Sequence, residues 1–127
     1  MRRMLITTFA VFAAAMIVCF LSMTNVHRVT LHARHLRSEA ILAMDAGEIQ
    51  RVEETLTELA NYLGKNMDWL EMVCSHNDLH EIKGALIDAQ ASVEFGIEDD
   101  FYQAISRFGE GLEHIASVEE FSLSNLC

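Results

Sequence analysis

The stretch IQRVEETLTELANYLGKNMDWLEMVC, residues 49–74, places its apolar side chains at Ile49, Val52, Leu56, Leu59, Leu63, Met67, Leu70 and Cys74. Steps of three and four bring these side chains to one face of an α-helix. The pattern is the a/d seam of helices that pack side by side. One such helix cannot cover its own seam, so further helices must lie against it. Gly64 interrupts the stretch at a cost near 1 kcal/mol and marks a place for a kink.

Reading toward the C-terminus, Ser75-His76-Asn77-Asp78 has the composition of a turn, because Ser, Asn and Asp compete for the backbone and cap helix starts. Leu79, Ile82, Leu86, Ala89 and Val93 then resume helical spacing, and Phe95-Gly96 ends that helix with a left-handed cap. Glu98, Asp99 and Asp100 load the next helix start with negative charge, where the helix dipole favours it. A fourth helix carries Phe101, Ile105, Phe108, Leu112, Ile115 and Val118, and Phe121 to Cys127 reads as a short polar tail. Ile49, Val52, Leu56, Ala60 and Leu63 recur, 52 positions on, as Phe101, Ala104, Phe108, Leu112 and Ile115. The repeat describes two amphipathic hairpins in one antiparallel bundle. A tetratricopeptide array is a poorer fit, since its period is about 34 residues.

Toward the N-terminus, Val29, Leu36, Ala40 and Met44 extend a first helix to Asp45-Ala46-Gly47. Ahead of it, Met4 to Met23 runs 20 positions without a charged side chain, directly after Arg2 and Arg3. About 20 apolar residues in a helix span the hydrocarbon core of a bilayer. The run is longer than the core of a cleaved signal, and its exit, Phe20-Leu21-Ser22-Met23-Thr24-Asn25, has no Ala-x-Ala site. Cys19 follows Met16-Ile17-Val18, without the small residue that precedes a lipid-modified cysteine. The expectation is therefore an uncleaved anchor over residues 1–25, a juxtamembrane helix over 26–45 and an extracytoplasmic helical domain over 46–127. Arg2 and Arg3 flank the span on one side, and Arg28, Arg34 and Arg37 lie further out on the other. Long domains translocate largely regardless of charge. A stub of three residues holds no domain, so a single-pass protein of the cell membrane is expected, N-terminus cytoplasmic and C-terminal domain outside. The fold class expected is all-α: a transmembrane helix followed by an antiparallel bundle of three to four helices.

Composition agrees with a helical chain. There is no proline in 127 residues, where average usage supplies about six. Charge is segregated: the first 37 residues hold five Arg and no acid, and the remaining 90 hold all 19 Asp and Glu against Arg51, Lys65, Lys83 and Arg107. So acidic a domain argues against nucleic acid, whose binding rests on Lys and Arg at phosphates, and an acidic surface is ordinarily a matter of solubility. Of the three cysteines, Cys74 and Cys127 fall in the expected outside domain, where a bridge is permitted. Burial of Cys74 as a small hydrophobe is the plainer fate.

Chemistry is sparse. His76 and His80 are four apart, the spacing at which two imidazoles clamp a transition metal. They are the weak metal candidates, with Cys74, Asp78 and His114 as neighbours. The expected turn between them, and Asn77 where a zincin has Glu, weaken that reading. Cys74 and His76 stand two apart, so as nucleophile and base they point to opposite sides of a helix. Glu53, Glu54, Glu58, Glu110 and Glu113 read as a solvated outer face before they read as acid–base pairs. No phosphate loop or nucleophile elbow is present, so no catalytic residue and no cofactor is expected. His27, His32 and His35 beside Arg28, Arg34 and Arg37 form a stop-transfer flank, with pH-dependent head-group binding as the sharper alternative. Tyr62 and Trp69 sit beside the seam and are expected to pack on a neighbouring helix.

The block Tyr62…Lys65…Trp69…His76…Leu79…Glu81-Ile82 and the ending Ile115…Glu119-Glu120-Phe121-Ser122-Leu123-Ser124-Asn125-Leu126 carry a resemblance. They are similar to a family of small membrane-anchored proteins of Gram-positive, often spore-forming, bacteria, known as domain of unknown function 4363. That family tends to a second Trp where this chain has Tyr62. The resemblance implies one N-terminal span, an extracytoplasmic helical remainder and a Trp-bearing helix before a His. It implies no activity, ligand or catalytic residue. The function expected is a non-enzymatic interaction or structural module of the cell envelope, held to the lipid bilayer through Met4 to Met23, with a protein partner or self-association. The alternative is a metal-binding or sensing module that uses His76, His80 and the acidic surface.

Overall fold

The computed structural model describes the backbone of residues 1–126 and the side chains of residues 1–117. Four helices follow one another: α1 (Arg2–Asp45), α2 (Ile49–Val73), α3 (His76–Phe95) and α4 (Glu98–Leu126). No strand occurs among the described residues. The turns are short because glycine ends two of the helices. Gly47 (φ 74°) and Gly96 (φ 71°) adopt the left-handed conformation that a Cβ disfavours. After α1 the Glu48 amide donates to Ala43 O (2.9 Å) and the Gly47 amide to Met44 O (3.0 Å). After α3 the Ile97 amide donates to Ser92 O (2.9 Å) and the Gly96 amide to Val93 O (3.2 Å). Both ends are Schellman motifs, which satisfy carbonyls that the helix leaves unpaired.

The four helices form a bundle in which each touches two others. α1 and α3 each pack closely on α2 and α4, whereas among the described residues the backbones of α1 and α3, and those of α2 and α4, stay apart. The core lies at the centre of that ring. Phe101, Phe108, Leu56, Leu59, Ile105 and Leu112 are its largest fully buried side chains, each contributing about 1.5–3 kcal/mol over an exposed position. The two halves of the sequence repeat, α2 and α4, thus stand on the diagonal and face each other through the core. Polar contacts tie the sides. Arg34, Arg37 and Asp45 of α1 meet Glu113, Ile105 and Tyr102 of α4. His32 meets Tyr62, Glu71 meets Lys83, and Asp78 and Asp88 meet His114 and Arg107.

α1 has two unlike halves. Its first half holds an apolar stretch long enough to cross a membrane, with none of those side chains buried in the protein. From Val26 onward the same helix turns an apolar face inward: Val26, Val29, Thr30, Ala33, Leu36, Ala40, Ala43 and Met44 are buried. Residues 26–45, read in the sequence as a juxtamembrane helix, are one wall of the bundle and share its core.

Two boundaries differ from the sequence reading. The expected turn at 75–78 shrinks to Cys74 and Ser75, and α3 begins at His76. The Leu79 amide donates to Ser75 O (3.2 Å), and Asp78 lies in the first turn, where the dipole stabilises it. α4 continues to Leu126 through the stretch read as a tail, which contains neither Gly nor Pro to stop it. α2 passes Gly64 as one helix.

Candidate functional site

α3 places His76 and His80 on one helix, one turn apart, rather than on either side of a turn. Their rings stack with centroids 6.4 Å apart and an interplanar angle of 23°, and both are exposed. His114 comes to the same end of α3 from α4, but its Nδ1 is spent on Asp78 Oδ1 at 3.0 Å. Among the described residues no group of three or more His, Cys, Asp or Glu is arranged to hold a metal ion. Cys74 is half-buried against the core, and Cys127 lies outside the described residues, so the bridge between them does too.

The acids of the two seam helices do not converge. Glu53, Glu54 and Glu58 on α2 and Glu110 and Glu113 on α4 are exposed, on helices that stand diagonally across the bundle. Glu113 accepts from Arg34 at 2.9 Å. The histidine-bearing flank lies along the outer side of the bundle wall. The His32 ring lies 4.3 Å from the Tyr62 ring, tilted by 57°, and His35 Nε2 is 3.1 Å from Glu39 Oε1. All three histidines and Arg28 are exposed. Tyr62 and Trp69 pack against the core, as their position beside the seam suggests.

Two features escaped the sequence reading. The first is a clasp between α1 and α4. Arg37 Nε donates to the Ile105 carbonyl (2.9 Å) across 68 positions of sequence, and Tyr102 OH donates to Asp45 Oδ1 (2.5 Å). The Asp45 carboxylate holds the Tyr102 phenol protonated and raises its pKa to about 12, chiefly through that hydrogen bond. The signal was present as Gly109 and Gly111, two glycines inside a helical pattern, which often mark close approach. The second is an apolar depression at the glycine-turn end, about 320 Å³, lined by Met44, Ile49, Val93 and Ile97 with Gly47, Gly96, Ser92 and Glu98. Leu42 and Phe95 are also exposed. Such a surface can seat an apolar side chain.

Comparison of the chain with family models, curated proteins and solved structures finds no match.

Proposed function

We propose that this chain is a single-pass membrane protein whose helical body is a non-enzymatic interaction or structural module of the cell envelope. The body reads as an antiparallel four-helix bundle, supported by contacts that climb α1 as they descend α4, from Arg34 with Glu113 to Asp45 with Tyr102. The observation that carries the reading is the continuity of α1. An uncovered apolar stretch runs without a break into a helix whose inner face is core. Exposing that much apolar surface to water is unfavourable at roughly 25 cal/mol per Å², and a bilayer removes the cost.

The orientation proposed is the one expected from the sequence, with the acidic body outside, since long domains translocate largely regardless of charge. Membership of the family of domain of unknown function 4363 is part of the same proposal and adds no activity. Two exposed imidazoles without a third ligand among the described residues make metal sensing the weaker reading. Protease treatment of intact spheroplasts expressing the full chain with a C-terminal epitope tests the topology. Loss of the epitope is expected; its survival until the membrane is permeabilised contradicts the outside placement.

A further inference from the structure

We propose that the Met72–Val73 end of α2 is a second lipid contact, set into the head-group region of the same leaflet that the apolar half of α1 enters. This rests on the membrane reading of α1 and goes beyond it, since a single span requires nothing of α2.

The register carries the inference. His32 and Tyr62 are in ring contact, and the turn at Ala46 to Glu48 sends α2 back along α1. Moving down both helices from that contact, Trp69 lies seven residues beyond Tyr62 and Asn25 seven before His32. Four residues further, Val73 is level with Leu21, inside the uncharged run. At 1.5 Å per residue, the end of α2 reaches about 16 Å below the His32–Tyr62 contact. The protein closes around α1 at the same height: Met23 is half-buried, while Phe20 and Leu21 just before it are exposed.

At that height α2 turns apolar outward. Met72 is 84% exposed and Val73 40%, although both stand beside a helix end with polar alternatives in Ser75 and Asn77. Trp69, half-buried one turn above, falls at the level where indoles gather at the membrane–water boundary. Asp68 and Glu71 share this level, and Glu71 Oε1 is 3.7 Å from Lys83 Nζ. Their charge favours zwitterionic over anionic head groups. Two contacts with one leaflet also fix the tilt of the bundle, which one helix alone leaves free.

Trp69 is the single tryptophan of the chain, so one indole can be moved to the site. The full-length chain carrying Trp69→Phe and Met72→Trp is reconstituted in phosphatidylcholine vesicles, and flotation is recorded with fluorescence. The expected result is co-flotation, with about a twofold loss of emission when lipids brominated near the head group are used, and a smaller loss with deep bromines. Co-flotation with an indole open to aqueous iodide and untouched by brominated lipid overturns the lipid contact and leaves the anchor standing. An indole shielded from both quenchers reports a protein cover, such as a second copy, and also overturns it. A chain that does not float overturns the anchor itself.

Discussion

The Arg37 guanidinium fills the space beside Gly109. A Cβ built on Gly109 would stand 2.6 Å from both Cζ and Nε of Arg37, so a side chain at position 109 obliges the guanidinium to move. Gly109→Ala gains about 1 kcal/mol of helix propensity. It also pushes the guanidinium off the Ile105 carbonyl, and a charged hydrogen bond is worth about 1.5 kcal/mol at the low end that suits a half-exposed Arg. The expected result is a small net destabilisation. In an Arg37→Ala background the same substitution should stabilise by about 1 kcal/mol. Thermal midpoints of the four proteins of this cycle, taken in one detergent, check the reversal of sign.

Gly111 makes the corresponding approach to α3, where an added Cβ would stand 2.8 Å from Ile82 Cγ1. Ile82 is buried, and its Cγ1 lies close to its own backbone, so it has little room to yield. Overpacking of this kind costs about 1–3 kcal/mol. Set against the roughly 1 kcal/mol of helix propensity gained, Gly111→Ala is expected to lower stability by up to about 2 kcal/mol, and urea titration of the detergent-solubilised chain measures it. An unchanged midpoint would mean that α3 and α4 separate more freely than their contact suggests.

Phenylalanines separate core from surface. Phe108 is fully buried, whereas Phe95 is 75% exposed at the end of α3. Phe108→Ala is expected to cost about 3–5 kcal/mol, and Phe95→Ala less than about 0.5 kcal/mol. Equal effects in chemical denaturation would contradict the packing.

Alkaline pH should loosen the α1–α4 clasp at the glycine-turn end. The Tyr102 phenol is raised from its ordinary 10.0 to about 12 by its bond to Asp45. A raised folded pKa means that the stabilising contribution is whole below the unfolded value and is lost as pH climbs through the folded one. The window is thus about pH 10 to 12. Ultraviolet titration of the phenolate should show Tyr102 ionising late in the parent chain. In Asp45→Asn, with the carboxylate gone, its ionisation should fall back toward the ordinary value.

The helical architecture was legible because the seam of α2 and its echo in α4 repeat at 3-4 spacing, and because Gly47 and Gly96 stand where helices must end. Two things were not. Apolar residues on 26–45 are spaced like a flank as much as like a bundle wall, and only the contact with α2 and α4 distinguishes these. The start of α3 was misplaced because Ser, Asn and Asp favour turns and first helical turns alike, and Asp78 took the second role. Of the candidate site, the sequence supplied residues without geometry. His76 and His80 stand on one helix rather than astride a turn, yet His114, which reaches the same end of α3, is held by Asp78. The Arg37–Ile105 bond spans 68 positions: Gly109 and Gly111 mark a close approach in the sequence but do not name the partner.

The central claim is that the first half of α1 resides in a lipid bilayer. Extraction of membranes from cells expressing the full chain with alkaline sodium carbonate tests it most directly. The chain should stay in the membrane pellet and leave it only with detergent. Release of the intact chain, first residues included, into the carbonate supernatant would contradict it.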